Sequence, residues 1–353
     1  MRALLLFPFA LGLGCAATRT KDNGSSKPLL TIPLVFGEGF WFGNFTAGDA
    51  IDLSLLIDTG SSDIYVNPDL YKPSSESHTV NQTVSMSFIT TKPDGCGEMI
   101  LKSHVVTDKL IVGPYTATNQ SIGTVMDIPQ PNNDTITKFP GQGIIGLLGE
   151  SADDSSFGGT PFFQHLCDEG QVDECRFGLG LETSGTGSLS LGGVDRSLLS
   201  GDMATAPIYG QQWIIQGGLP LDILDVGVQQ SMFLDSGTSN IIGNRTMVKA
   251  LFDKLGIQSF TRDAIGCDGT LFGYYPCDSP PHIGFQIGNS SQTFFIEPEA
   301  FKMEDNGNNN CTATITGGNI GAGGWLVGQS WFQGKYIDFD VTGSQVGVTN
   351  LHI

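Results

Sequence analysis

An all-β fold in two lobes, with few and short helices, is what the sequence predicts, and three observations predict it. The chain has 353 residues, beyond the roughly 250 to 300 at which a single hydrophobic core stops growing. It carries 48 glycines and only 15% charged residues beside 39% hydrophobic ones, the balance of many turns between short apolar segments rather than of long helices or disorder. A strand-and-loop segment also occurs twice, once in each half, as expected of two similar units built separately.

The chain opens with MRALLLFPFALGLGCAA, in which Arg2 precedes an apolar stretch from Ala3 to Gly14 and small residues follow. This is the layout of a signal peptide over residues 1–17, with cleavage expected near Ala17. A lipoprotein signal around Cys15 fits less well, because Gly12 stands where a branched aliphatic residue is usual. Residues 18–29 form a short polar tail. A first lobe is expected over 30–194 and a second over 195–353, with the seam near LSLGGVDRSLLSG. Runs such as LTIPLVF, IDLSLLI, VSMSFITT, HVVTDKLIV and ATAPI, separated by Gly, Asn, Asp and Pro, read as strands. Two segments, TPFFQHLCDEG and TMVKALFDKLG, read as short surface helices, each started by Thr and stopped by Gly. No later segment has the roughly 18 uninterrupted apolar residues of a membrane helix, and the final VTNLHI offers no hydrophobic tail for a lipid anchor.

Asp and Glu outnumber Lys and Arg by 36 to 17, a formal charge of -19, so nucleic acid and anionic membranes are excluded as expected partners. A surface whose charge is mostly carboxylate tolerates mild acid, since few buried histidines have to charge. Of seven cysteines, Cys15 leaves with the signal, and Cys96, Cys167, Cys175, Cys267, Cys277 and Cys311 form an even set with up to three disulfides. None lies in a CxxC pair, and the five histidines show no HExxH-type spacing, so no metal is expected. Sequons at Asn23, Asn44, Asn81, Asn119, Asn133, Asn244, Asn289 and Asn310 fit a secreted glycoprotein of eukaryotic origin.

The repeat carries the chemistry. Its first copy is LSLLIDTGSSDIYV and its second QSMFLDSGTSNIIG; roughly 90 residues after each comes a glycine-bounded apolar partner, GIIGLLG and GGWLVGQSWF. One Asp-Thr-Gly is an ordinary turn composition. Two copies, each fed by a buried strand, supply what a catalytic carboxylate needs: a rigid support that fixes its oxygens. Gly60 and Gly237 let the backbone come close to the carboxylates of Asp58 and Asp235, with their amides aimed at carboxylate oxygens. Thr59 and Ser236 can bond the opposite loop across the seam, while Ser61 and Thr238 contact the outer carboxylate oxygens. Two acids brought together share one proton at mildly acidic pH, because their like charges raise one pKa. Such a pair can take a proton from a water while polarising a carbonyl, with no covalent intermediate.

With these motifs the chain resembles the pepsin-like aspartic proteases, as a divergent secreted member of fungal type, from about Leu30 to Ile353. The family's first D-T-G-S-S matches Asp58 to Ser62, its second D-S/T-G-T-S matches Asp235 to Ser239, and its two apolar-apolar-Gly segments match Ile144, Ile145, Gly146 and Leu326, Val327, Gly328. The resemblance implies a bilobal fold with a central cleft for an extended peptide, no cofactor, and cleavage of peptide bonds, usually between bulky apolar residues, by the Asp58/Asp235 pair; a monomer is expected. It also implies a Cys277–Cys311 disulfide in the second lobe and a Cys167–Cys175 bridge closing a short loop in the first. Cys96 is expected as a disulfide partner, of Cys267, rather than as a nucleophile, since no paired His is evident.

Three positions depart from the family. Its substrate-covering hairpin usually carries a Tyr near the tip, but SFITTKPDGCGEMI contains none; Tyr65 stands where a Trp commonly supports that Tyr; and only about a dozen residues separate the expected signal cleavage from the first strand, where a long basic propeptide is usual. These changes bear on substrate positioning and turnover, and keep open an alternative, a pepsin-like peptide-binding protein with weak or no catalysis. Glycoside hydrolysis also uses paired carboxylates but does not call for duplicated Asp-hydroxyl-Gly loops. GQSWFQGKY has one residue too many for a phosphate loop and Tyr where a magnesium-binding hydroxyl belongs, and no G-x-S-x-G elbow appears.

Overall fold

The computed structural model describes residues 27–89, 98–126, 138–150, 152–210, 212–223, 230–262, 267, 269–318 and 324–352. Strands dominate these residues and fall into sheets of 13, 7 and 4 strands. The expected apolar runs lie in the strands Leu30–Gly37, Ala50–Asp58, His78–Ile89, Glu98–Val112 and Ala204–Pro207, apart from the last two residues of VSMSFITT, which fall outside the described residues.

Each half contains the same knot of strands. In the first, Ala50–Asp58 runs parallel to Gly143–Gly146, placing Asp58 opposite Gly146, and Ile64–Val66 lies antiparallel on the other side of that short strand. In the second, Gln230–Asp235 runs parallel to Gly324–Gly328, placing Asp235 opposite Gly328, with Ile241–Asn244 antiparallel beyond it. Leu55, Leu56, Ile57, Ile144 and Ile145 are fully buried, as are Leu234, Ile241 and Val327, which is why these segments read as unbroken apolar runs rather than alternating ones. The crossing glycines are required by packing: a Cβ on Gly146 would strike the backbone of Ser61, and one on Gly328 the backbone of Thr238 and Asn240. At this close approach the crossing segment holds the loop through its main chain, with Leu147 N donating to Asp58 O (2.7 Å), Leu148 N to Ser61 O (2.9 Å) and Gln329 N to Thr238 O (2.8 Å).

The halves are joined by more than a linker. The closing hairpin, Lys335–Asp340 with Gln345–Asn350, enters the 13-stranded sheet by pairing with Arg176–Leu181, so the sheet of the first lobe crosses the boundary expected at 194/195. Arg176 fixes that junction by donating Nε and Nη2 to the two oxygens of Asp338 at 3.1 and 2.5 Å, a bidentate geometry. Two indoles add to it: Trp41 Nε1 donates to Gln329 Oε1 (3.1 Å) and Trp213 Nε1 to Leu147 O (3.0 Å).

The helices are as short as expected but start differently. The first spans Phe162–Asp168 with Pro161, not Thr160, at its N-cap. The second spans Arg245–Leu255; Asn244 caps it by accepting from Thr246 N at 3.0 Å, and Gly256 ends it in the left-handed region at φ 70°. Thr246 is therefore the residue capped rather than the cap, because Asn ranks above Thr in accepting from the first turn. Disulfides join Cys167 to Cys175 and Cys277 to Cys311. Cys267 is also disulfide-bonded; its expected partner, Cys96, lies outside the described residues.

Candidate active site

Asp58 and Asp235 end their strands at the seam between the halves, 5% and 9% exposed. Their loops are superimposable in bonding. Gly60 N donates to Asp58 Oδ1 at 2.7 Å and Ser61 Oγ donates to Asp58 Oδ2. Gly237 N donates to Asp235 Oδ1 at 2.8 Å and Thr238 Oγ1 to Asp235 Oδ2 at 2.6 Å. Four donors, two per carboxylate, thus fix the carboxylate planes.

The loops are also tied to each other by four buried bonds. Thr59 Oγ1 donates to Leu234 O (2.9 Å) and accepts from Ser236 N (2.9 Å), while Ser236 Oγ donates to Ile57 O (2.7 Å) and accepts from Thr59 N (3.0 Å). Each hydroxyl both gives and takes, so neither loop can shift without orphaning a buried group of the other. Gly60 and Gly237 complete the contact in a way that the sequence only half anticipates. Their amides serve the carboxylate of their own half, but a Cβ on Gly60 would overlap the carboxylate of Asp235, and one on Gly237 that of Asp58. The missing side chains are what let two acids from different halves meet.

Burial, and next the facing charge of Asp235, push the Asp58 carboxyl well above the ordinary aspartate range; hydrogen bonds from Ser61 and Gly60 pull the other way. Removing water penalises the charged form, and a second negative charge penalises it again.

A cavity of about 370 Å³ opens beside the dyad. Its apolar wall includes Met86 and Phe88 of the hairpin and Phe233 and Leu326 of the second half, and Asp63, Tyr65 and Asp154 add polar groups. The sequence alone left the hairpin's aromatic unplaced; here Phe88, opposite Met99 on the hairpin, packs edge-on against Tyr65 at 5.4 Å and against Phe139 at 4.8 Å. The alternation in VSMSF, which puts Val84, Met86 and Phe88 on one face, is the signal that marks it. The hairpin tip, residues 90–97, lies outside the described residues. Asp63 went unremarked because a polar residue after a turn has no distinctive pattern. It is buried and accepts from Ser155 Oγ (2.5 Å) and Ser156 N (2.9 Å), and burial pushes its carboxyl up.

The family model for eukaryotic aspartyl proteases matches residues 41–351 of this chain. An aspartic protease of Phaffia rhodozyma is 27% identical over 322 residues, covering 88% of this chain and 76% of the relative. Secreted aspartyl protease 1 of Malassezia globosa is 27% identical over 353 residues, 93% and 81% of the two chains, and pig pepsin A is 28% identical over 328 residues, 87% and 80%. The chain belongs to the eukaryotic aspartyl protease family and is an aspartic-type endopeptidase by class.

Proposed function

We propose that this protein hydrolyses peptide bonds of extended polypeptides through a water activated by Asp58 and Asp235, at acidic pH, outside the cell and as a monomer. The observation that carries this is the pairing itself: two buried carboxylates from different halves, each held by two donors, with a glycine of each half pressed against the acid of the other. In the singly protonated pair, the ionised carboxylate takes a proton from water as the water attacks the carbonyl, and the protonated carboxyl donates to the carbonyl oxygen. Support for an extracellular site comes from the expected signal peptide and sequons, and from the secreted relative in Malassezia globosa.

A second reading, peptide binding with little turnover, is favoured by one observation: the hairpin brings a phenyl ring, Phe88, to the cavity wall, with no hydroxyl to bond the substrate. Incubation of the purified protein with haemoglobin and a peptide library between about pH 3 and 7 separates the two. Cleavage that follows an acid-side bell and disappears in Asp58→Asn and in Asp235→Asn supports the protease. Tight peptide binding without cleavage supports the alternative, and a rate rising steadily to about pH 9 contradicts the shared-proton mechanism.

A further inference from the structure

We propose that Asn81 carries an N-linked oligosaccharide, and that this glycan covers the free edge of the first half's sheet and keeps the folded protein from pairing strand to strand with a second copy. The inference rests on the secretory route of the reading above and not on its chemistry. The 13-stranded sheet ends in two unlike strands. At one end lies Ala204–Pro207, four residues long and closed by a proline, which is how a sheet edge is ordinarily kept from recruiting another chain. At the other lies His78–Ile89, 12 residues long, HTVNQTVSMSFI, without a lysine, arginine, aspartate, glutamate or proline. It pairs with Glu98–Val112, and among the described residues no strand covers its outer side. From that next strand Glu98, Lys102 and His104 stand opposite Ile89, Ser85 and Thr83, one strand in from the edge. An edge rich in β-branched residues, with His78 at its start as its one titratable side chain, has the composition of a segment that adds strands of other chains.

The sequon Asn81-Gln82-Thr83 lies within this strand, where its pairing shifts. Thr79 is opposite Val106 and Thr83 opposite His104, so Val80, Asn81 and Gln82 stand against Val105 alone, a bulge. The neighbours of Asn81 are tied inward: Val80 packs against the core, and Gln82 Nε2 donates to Ser156 O at 3.3 Å. Asn81 itself is exposed, as are Thr79, Thr83 and Ser85, so the fold tolerates a glycan placed on the chain before it folds. In that transfer the amide nitrogen of Asn81 bonds to the anomeric carbon of a lipid-pyrophosphate-linked oligosaccharide. The bond from that carbon to the pyrophosphate oxygen breaks, and the lipid pyrophosphate leaves with the amide proton. From Thr83 to Ile89 the ladder is regular again, and this is the stretch that an incoming strand can extend at a spacing of about 4.8 Å. A hydrated oligosaccharide rooted at its start excludes that approach. In acid the carboxylates behind the formal charge of -19 are progressively neutralised and repulsion between copies fades, whereas an uncharged sugar acts at any pH.

The test uses the full chain secreted from a eukaryotic host. Mass spectrometry of its peptides, after an amidase that converts glycan-bearing Asn to Asp, is expected to report Asn81 as modified. An unmodified Asn81 beside modified Asn119 and Asn289, which are likewise exposed, overturns the inference and leaves secretion standing. A chain unmodified at every sequon removes both. Shielding is read by size-exclusion chromatography with light scattering at about pH 4, near the ordinary carboxylate range. Asn81→Gln and Thr83→Ala, which both lose the sequon, are expected to self-associate with a Kd lower by about tenfold or more than that of the glycosylated protein, while Thr83→Ser, which keeps it, behaves as wild type. Asn81→Lys loses the glycan but places a charge on the edge, and is expected to stay monomeric. Trimming the folded wild-type protein with an endoglycosidase needs no substitution and is expected to bring on the same association, absent from trimmed Asn81→Lys. Unchanged association in Asn81→Gln and in the trimmed wild type sinks the shielding role. Equal association of trimmed wild type and trimmed Asn81→Lys sinks it too, by placing the contact away from this edge.

Discussion

The loop after Asp58 and the loop after Asp235 begin alike and then part company. Through the first four residues each makes the same bonds: a glycine amide to Oδ1, a hydroxyl to Oδ2, and a hydroxyl to the opposite half. Five residues past each acid the likeness ends. In the first half Asp63 is bonded by Ser155 and Ser156, and Tyr65 follows in the cavity wall. In the second, Asn240 donates to Thr316 Oγ1 at 2.8 Å and Ile242 follows within the sheet. The bonds at the acids are the same in both halves, and the likeness ends in the cavity wall, to which the first half brings Asp63 and Tyr65 and the second Phe233 and Leu326.

The largest effect is expected from breaking the equal part. Gly60→Ala and Gly237→Ala each drive a methyl group into the carboxylate of the other half, so each should lower kcat/KM by about 100-fold, the scale of a displacement near 1 Å at a reacting centre. Similar losses in steady-state cleavage by both variants would sharpen the symmetry. Wild-type activity in either would break it.

Next comes the crossed hydroxyl pair. Thr59→Val and Ser236→Ala should each cost about 1–3 kcal/mol of stability in denaturant unfolding, because each leaves buried groups of the other loop unpaired. The double variant should cost less than the sum, giving a coupling of about 0.5–3 kcal/mol. Strict additivity would show that the loops hold their positions independently.

The dyad should also leave a mark on stability as a function of pH. The Asp58 carboxyl is raised in the folded protein by burial and by the Asp235 charge, so its protonated form suits the fold. Its contribution is complete below the unfolded aspartate range of about 3.9 and is lost as pH rises through the raised folded value. Asp58→Asn, neutral throughout, should therefore gain Tm relative to wild type by several degrees near pH 7 and by little near pH 3. A gain that is larger in acid would reverse the assignment.

The smallest effect belongs to the unequal part. Tyr65→Phe removes a buried hydroxyl that lies beside the Ser156 side chain, so the unliganded protein should change in stability by less than about 1 kcal/mol. A clear fall in Tm would mean that the hydroxyl has a bonding role in the free protein.

Much of this molecule was legible along the chain. The duplicated Asp-hydroxyl-Gly segments, their apolar strands and their distant glycine partners depend on local residue types and on spacing, and a carboxylate that needs a buried strand, a hydroxyl and a glycine beside it must write all of them next to itself. The helix starts were misplaced because Thr160 and Thr246 satisfy the same pattern as true caps, and only the main-chain path selects Pro161 and Asn244.

The sequence by itself determined the two acids, their immediate donors and the architecture of strands in two halves, since each is set by neighbours within a few residues. Tertiary structure alone decided that each glycine lies against the opposite acid, that the last hairpin joins the first half's sheet, and that Asp63, Tyr65, Phe88 and Asp154 face one cavity. The same seam joins residues 179 positions apart, as Ser236 and Ile57 are. Such contacts depend on how two separately packed cores close on each other, and no local pattern records that.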